Sequence, residues 1–211
     1  MAEAAPPRTV AIVLFEGFTV LDAYGPIQAL GMAGQRHEDG SVQRFFKIVT
    51  VARTAGPVRS SEGPSTVADY SFADLPGCDL MLVPGGMGTR ALINDAEFLG
   101  LLASLSKKSA MTTTVCTGAA LLARTGLLDG RSATSNKMAW DWVKQQGEAV
   151  DWVRKARWVD DGDIVTSSGV SAGTDMALAI IARLHGRDVA ERTARGMEYV
   201  WNDNPANDPF V

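Results

Sequence analysis

Short, almost wholly apolar runs alternate with helical segments along this chain, and the alternation limits the folds that it can adopt. Strands that are apolar on both faces are typical of a parallel sheet that helices cover on both sides, because neither face meets water. The pattern therefore predicts an α/β fold with a mostly parallel sheet between two helical layers. The expected strands are residues 9–15, 44–53, 79–86, 112–115, 131–134 and two within 156–168, with a hairpin in 56–72. The expected helices are one ending near Gly34, then residues 89–109, 117–123, 137–147, 172–186 and 189–203.

The bulk composition favours one globular domain over residues 1–211, with residues 1–8 as a flexible lead-in. The 211 residues are 46% hydrophobic and 21% charged, which suits a chain with its own core. A net charge of −4 argues against a nucleic-acid partner, since such a surface would be basic. No apolar run reaches the roughly 18 residues that a membrane-spanning helix needs. The first residues carry no secretory signal pattern, so we expect a cytoplasmic protein without membrane contacts.

The inventory of metal-binding side chains is small. The chain has two cysteines, Cys78 and Cys116, and two histidines, His37 and His185. Neither an H-E-x-x-H motif nor paired C-x-x-C motifs occur, and these are the spacings typical of zinc sites. We therefore expect no metal and no cofactor, with both cysteines as free thiols in a reducing compartment.

Three chemically unusual segments follow three of the expected strands. Asp22 follows the first strand, Gly85 and Gly86 follow the strand at 79–86, and Cys116 ends the β-branched run 112–115. Ligands of open α/β sheets bind at the carboxyl ends of the strands, so these segments should meet at one edge of the sheet. The sequence thus predicts an active site there.

Cys116 stands where a buried strand turns sharply into a helix, in "TTTVCTGAALLA". Such a turn presents its side chain outward in a nucleophile elbow, and the small residues after the cysteine leave room for the crowded backbone. The helix N-terminus should lower the pKa of the thiol. The alternative is a buried, unreactive cysteine, as we expect for Cys78.

Asp22 lies in the apolar segment "FTVLDAYGP". It could cap the helix that begins nearby. Because Val20, Leu21 and Tyr24 flank it, we expect instead a buried carboxyl with a raised pKa that exchanges protons with the thiol. The glycines after Pro84 predict a close backbone approach, and with the N–H of Thr117 they would form an oxyanion hole.

The segments "LFEGFTVLDAYGP", "LVPGGMGTRAL", "TTVCTGAALLARTGLLDGRSAT" and "SSGVSAGTDMALAI" together resemble the ThiJ/PfpI (class I glutamine amidotransferase-like) superfamily. The likeness runs from Val10 to Tyr199 and implies a single-domain, flavodoxin-like sandwich. The Asp of "LDAYGP" and the Thr after the elbow Cys are similar to the isocyanide hydratase branch. That branch adds water to an isocyanide to give an N-substituted formamide, needs no cofactor and is typically homodimeric.

The resemblance implies catalytic roles for three residues, and a place in the lining of the site for Gly85 or Gly86. Cys116 would be the nucleophile that forms a covalent thioimidate, Asp22 the general acid and base, and Thr117 an assisting hydroxyl and N–H. The residues expected to bind substrate are Gly85, Gly86, Tyr24, Asn136 and Val170.

The chain also departs from its relatives. Thr117 stands where peptidase-like members have His, and Asn136 replaces a His in "TSNKMAW". Neither His37 nor His185 falls in a matching motif, which disfavours amidotransferase activity. Two alternatives remain: another small-molecule thiol hydrolase or lyase, and a redox or electrophile sensor that uses Cys116. The regulator relatives carry a DNA-binding domain after this one, and we expect none here because the chain ends at Val211.

Overall fold

A computed structural model describes residues 5–211 of the chain. The thirteen strands are β1 (Arg8–Val13), β2 (Gly34–Arg36), β3 (Val42–Arg44), β4 (Phe46–Ala52), β5 (Gly56–Arg59), β6 (Ser65–Ala68), β7 (Tyr70–Ser71), β8 (Leu80–Val83), β9 (Met111–Val115), β10 (Ser132–Ala133), β11 (Asp151–Trp152), β12 (Trp158–Asp161) and β13 (Ile164–Ser167). The seven helices are α1 (Val20–Met32), α2 (Thr89–Leu92), α3 (Ala96–Lys108), α4 (Gly118–Arg124), α5 (Trp140–Lys144), α6 (Ala172–His185) and α7 (Arg187–Gly196).

A seven-stranded sheet forms the centre of the protein, in the order β12-β13-β9-β8-β1-β4-β7. All neighbouring strands run parallel except β12, which pairs antiparallel with β13 at one edge. The apolar runs of β1 and β8 are buried over most of their length, which explains their near-continuous hydrophobic character. The α/β prediction is confirmed.

Helices cover both faces of this sheet. Helices α1, α6 and α7 pack together in one layer, and α2, α3 and α4 contact one another in the other. Side chains from both layers meet the strands in one large apolar cluster, which includes Ile12, Met81, Leu102 and Met176. This packing holds the carboxyl ends of β1, β8 and β9 side by side, as the sequence predicted.

The predicted helix over residues 89–109 is two helices in the structure. Helix α2 ends at Leu92, and Asp95 starts α3 by accepting the backbone N–H of Phe98 at 3.0 Å. An aspartate that caps a helix in this way sets a new starting point, because it satisfies an N–H that has no partner within the helix. The apolar spacing continues across the break and therefore does not reveal it.

Four short strands were not predicted, namely the hairpin strands β2 and β3, the edge strand β7, and β11, which pairs with β10. Each has only two or three residues, too few for a periodic pattern. The hairpin expected in residues 56–72 is formed by β5 and β6. Of the expected lead-in, residues 1–4 lie outside the described residues and β1 already begins at Arg8. Within residues 5–211, no helix combines the length and the apolar character that crossing a membrane requires.

Candidate active site around Cys116

Cys116 occupies a left-handed backbone conformation, with φ at 57°, between β9 and α4. Non-glycine residues rarely adopt this conformation because it crowds their Cβ atom, so the surrounding structure must hold it. The backbone N–H of Cys116 is held by the carbonyls of Ser167 and Ser168, each at 3.2 Å. Position 118, two residues after the cysteine, must be glycine because an added Cβ there would collide with the carbonyl of Val83. The predicted nucleophile elbow is confirmed.

Asp22 is fully buried in the first turn of α1. The residue that caps this helix is Thr19, so the interpretation of Asp22 as the cap is wrong. Its Oδ2 accepts the backbone N–H of Gly85 at 2.9 Å, while Oδ1 finds no nitrogen or oxygen partner within hydrogen-bond distance in the described residues. The carboxyl interacts with the thiol of Cys116. Burial raises its pKa from 3.8 to about 7, against the opposing effect of the Gly85 N–H.

The thiol of Cys116 behaves differently from our expectation. Its side chain is only 6% exposed, and burial together with the negative charge of Asp22 raises its pKa well above the usual range. The backbone N–H and the hydroxyl of Thr117 act in the opposite direction but do not compensate. The expected fall in the pKa of the thiol is therefore wrong, because desolvation and the charge of Asp22 outweigh the hydrogen bonds from Thr117 at the start of α4. The thiol and the Asp22 carboxyl share a hydrogen bond, and burial favours the neutral form of each.

The backbone N–H groups of Gly85 and Gly86 are both engaged within the protein. Gly85 donates to Asp22, and Gly86 donates to Oγ1 of Thr117 at 3.0 Å. The same Oγ1 lies 3.2 Å from the hydroxyl of Thr89. The expected oxyanion hole is therefore not formed, and the two glycines instead orient the Asp22 carboxyl and the Thr117 side chain. Gly85 must be glycine because an added Cβ would lie 2.5 Å from the Thr117 nitrogen.

A cavity of about 410 Å³ lies beside the elbow. Its inner end is formed by Gly169 and Asn136, since a Cβ at Gly169 would lie 2.7 Å from both Sγ of Cys116 and Nδ2 of Asn136. Asn136 is oriented by the N–H of Ala139, which its Oδ1 accepts at 2.9 Å. Val170 lines the same cavity.

The remaining predicted binding residue, Tyr24, lies elsewhere. It is 42% exposed on α1, and its hydroxyl pairs with Oγ1 of Thr66 in the β5–β6 hairpin at 2.9 Å. It is not among the residues that line the cavity. The sequence predicts the hairpin but not its contact with α1. This contact holds the Tyr24 side chain at the hairpin and not at the cavity.

Six lining residues were not predicted to bind substrate, namely Leu21, Lys137, Met138, Gly169, Ser171 and Phe210. Leu21 adjoins Asp22 in sequence, so its position could have been inferred. Phe210 carries no sequence signal, because only the folded chain brings the C-terminal segment to the site.

A second cavity, of about 310 Å³, lies beyond the ends of β1 and β4 among Phe15, Arg53, Pro57 and Phe98. Its lining does not include Gly169 or Asn136, the cavity residues that lie next to the sulfur of Cys116. The 410 Å³ cavity is therefore the candidate substrate site. Among residues 5–211, no group of three or more His, Cys, Asp or Glu side chains is arranged to hold a metal ion.

Comparison with known proteins places this geometry in a family. The DJ-1/PfpI family profile matches residues 8–183. The isonitrile hydratase of Pseudomonas putida is 32% identical, over 90% of this chain and 78% of that protein. The HTH-type transcriptional regulator GbdR of Pseudomonas aeruginosa is 28% identical, over 87% of this chain but only 48% of its own length. A crystal structure of a ThiJ/PfpI family protein from Pseudomonas syringae is 32% identical and has a TM-score of 0.80, covering 92% of this chain and 75% of that one. With its nucleophile elbow and sheet order, the chain belongs to the DJ-1/PfpI family.

Proposed function

We propose that this protein is a cysteine-dependent isocyanide (isonitrile) hydratase, which converts R–N≡C and water to the formamide R–NH–CHO. The observation that carries the proposal is the fully buried Asp22 carboxyl, with a pKa of about 7, beside the thiol of Cys116. A hydration needs a nucleophile and a group that moves protons in both directions near neutral pH. The similarity to the isonitrile hydratase of Pseudomonas putida supports the same reaction class.

The first step forms a covalent intermediate. The sulfur of Cys116 bonds to the terminal carbon of the isocyanide, and the thiol proton passes through Asp22 to that same carbon. The product is a thioimidate, R–N=CH–S–Cys116. Because the thiol pKa is high, attack and proton transfer to the Asp22 carboxylate must be coupled. The N–H and hydroxyl of Thr117 lie against the sulfur and favour its developing negative charge.

The second step releases the product. Water adds its hydroxyl group to the imidate carbon, its proton passes through Asp22 to the nitrogen, and R–NH–CH(OH)–S–Cys116 results. The carbon–sulfur bond then breaks, the hydroxyl proton returns to the sulfur by way of Asp22, and R–NH–CHO leaves. The thiol and the carboxylate are restored, so no oxidant, reductant or metal takes part.

The histidines do not suit a Cys-His mechanism. His185 stacks on Phe45, with the ring centroids 4.0 Å apart, and the exposed His37 lies in the loop between β2 and β3. Neither is among the residues that orient the sulfur or line its cavity. This argues against hydrolysis of the amidotransferase or peptidase type, which uses an imidazole base. It leaves Asp22 as the proton carrier.

The sensor alternative is less well supported. Oxidation of a cysteine to the sulfenic acid proceeds from an accessible thiolate, whereas this thiol is buried and has a raised pKa. Intact mass after mild peroxide tests it, since a sensor would take up oxygen at Cys116 before any other residue.

Turnover of an aryl isocyanide, followed by the formyl proton in the NMR spectrum, tests the proposal. We expect Cys116→Ala to form no product and Asp22→Asn to lose about a hundredfold or more in kcat, because both proton transfers fail. For the native chain, kcat/KM should rise as the pH passes through about 7, since Asp22 must be ionised to take the thiol proton. Cys78→Ala is the matched control and should retain activity, because Cys78 contacts Ser109 rather than the site. An absence of formamide across alkyl and aryl isocyanides, or full activity of Cys116→Ala, would refute the hydratase.

We infer further that the protein is a homodimer whose interface borders the cavity. Exposed apolar side chains line the cavity, including Leu21, Met138 and Phe210. Surfaces of this kind favour association. Sedimentation equilibrium should give twice the chain mass of 22.4 kDa, and a monomeric mass at micromolar concentration would contradict the inference.

A further inference from the structure

The C-terminal arm, residues 197–211, leaves α7 and returns to the cavity that Gly169 and Asn136 line beside the thiol. Its backbone is attached at several points along this path. Asn202 donates its N–H to Asp175 at 3.0 Å, Pro205 accepts the N–H of Arg157 at 2.7 Å, and Asp208 donates its N–H to the carbonyl of Lys155 at 2.8 Å. The arm is therefore a fixed part of the fold, although it has no regular secondary structure.

A buried cluster of four charged side chains holds the arm in place. Arg157 pairs with Asp175 through Nη2 and Oδ2 at 2.5 Å and lies 3.9 Å from the carboxylate of Asp208. The ammonium of Lys137 lies 3.6 Å from the other oxygen of Asp208. Asp208 is only 3% exposed, so its charge depends on these two cations. The cluster thus connects the arm to both Lys137 and Arg157.

Lys137 lines the cavity, but its ammonium group donates its hydrogen bonds to protein oxygens and none into the cavity. Its three N–H bonds are directed to Oγ1 of Thr134 at 2.9 Å, the carbonyl of Ser135 at 3.1 Å and that of Ala156 at 2.8 Å. An ammonium has three donors, so these contacts use all of them. The apolar side chains of the lining are those of Leu21, Met138, Val170 and Phe210.

Phe210 stands at the end of the arm and forms part of this apolar lining. Its backbone N–H donates to the Asp208 carboxylate at 3.1 Å. Because the cluster fixes Asp208, this hydrogen bond also fixes the backbone that carries the Phe210 ring. The ring is 68% exposed and shares the cavity with Leu21 and Val170. The free isocyano group is linear, so its substituent extends directly away from Cys116 as the terminal carbon approaches the sulfur. The cavity that Gly169 and Phe210 both line is the space next to the sulfur that can take this substituent.

We propose that Phe210, held by the Lys137–Arg157–Asp175–Asp208 cluster, determines specificity by favouring substrates with a flat, apolar substituent. The inference rests on the proposed hydratase function and names its substrate class: aryl rather than small alkyl isocyanides. An aromatic ring facing such a substituent adds apolar contact that a small alkyl group does not make.

The kinetic test compares Phe210→Ala with Val200→Ala, an exposed arm residue that does not line the cavity. The ratio of kcat/KM for phenyl isocyanide to that for ethyl isocyanide should fall about fivefold in Phe210→Ala, through KM, with kcat unchanged. Asp208→Asn should lower the ratio in the same direction, because it releases the ring. Val200→Ala should match the native chain. An unchanged ratio in Phe210→Ala, or an equal loss for both substrates, overturns the proposal.

A second measurement does not depend on hydratase activity. In a Cys78→Ala background, intact mass follows alkylation of Cys116 by N-phenylmaleimide and by N-methylmaleimide. Phe210→Ala should lower the phenyl-to-methyl rate ratio, and Val200→Ala should not. If Phe210→Ala lowers the alkylation ratio but the native chain turns over no isocyanide, the hydratase function is refuted and the selectivity of Phe210 is supported. If the native chain turns over isocyanides but Phe210→Ala changes neither the alkylation ratio nor the kcat/KM ratio, the hydratase function is supported and the selectivity of Phe210 is refuted.

Discussion

The chemistry of single residues in this protein depends on where one proton lies. Burial raises the pKa of both Asp22 and Cys116, so the two groups are not charged together near neutral pH. A carboxyl with a pKa of about 7 can accept the thiol proton at the moment of attack and return it afterwards. The sulfur of Cys116 then becomes nucleophilic as it loses its proton to Asp22 during the attack, and not because a thiolate is already present before the substrate binds.

The first prediction concerns the stability cost of the Asp22 carboxyl. Its folded pKa is raised from 3.8 to about 7, so between pH 4 and pH 7 the native state keeps a proton that the unfolded chain releases. Its contribution to the free energy of unfolding should therefore fall as the pH rises through this window, by on the order of 4 kcal/mol. Relative to the native chain, Asp22→Asn should gain stability from pH 4 to pH 7 in urea titrations. Asp141→Asn, on an exposed position of α5, should show no such trend. A constant difference between native chain and Asp22→Asn across this range would contradict the assignment.

At the scale of the elements, the site is made where three strand ends meet. Strand β9 supplies the elbow, the turn after β8 supplies Gly85 and Gly86, and α1 after β1 supplies Asp22. The turn after β8 lies directly against the elbow, since an added Cβ at Gly85 would be 2.9 Å from Cβ of Cys116. Small residues are needed here because two backbone segments touch.

The second prediction tests that contact with Gly85→Ala. The new Cβ would lie 2.5 Å from the Thr117 nitrogen and 2.6 Å from its Oγ1, so the turn must move and the N–H bond to Asp22 weakens. We expect a destabilisation of about 2 kcal/mol and at least a tenfold loss of kcat, measured by thermal unfolding and isocyanide turnover. Gly100→Ala is the control, because nothing lies within 4 Å of its added Cβ in α3. There helix propensity should add up to about 1 kcal/mol of stability, and equal effects of the two changes would contradict the contact.

At the scale of the whole molecule, the C-terminal arm and the body of the fold depend on each other. Asp175 at the start of α6 accepts from Tyr199 and Asn202 of the arm and from Arg157 of the loop before β12. Buried charges of this kind are tolerated only while each has its partner. The cluster therefore links chain segments far apart in sequence.

The third prediction removes one charge from this cluster. Asp175→Asn leaves the buried guanidinium of Arg157 without its principal partner and should lower the free energy of unfolding by about 3–5 kcal/mol in urea titrations. Hydrogen exchange should also increase in the arm. Asp203→Asn, which breaks an ion pair between Arg187 and an exposed aspartate, should have little effect. Similar losses in the free energy of unfolding from Asp175→Asn and Asp203→Asn would contradict the prediction, because the buried ion pair would then stabilise the fold no more than the exposed one.

Patterns along the chain predicted the α/β class, most element positions, the elbow at Cys116 and the burial of Asp22, because apolar periodicity and a β-branched run before small residues reflect contacts between near neighbours. The folded chain was needed to establish the direction of the thiol pKa, the partners of the Gly85 and Gly86 N–H groups, the position of Tyr24 and the approach of Phe210 to the site. Desolvation and hydrogen bonding depend on atoms from distant segments, and a local pattern contains no information about which segments those are.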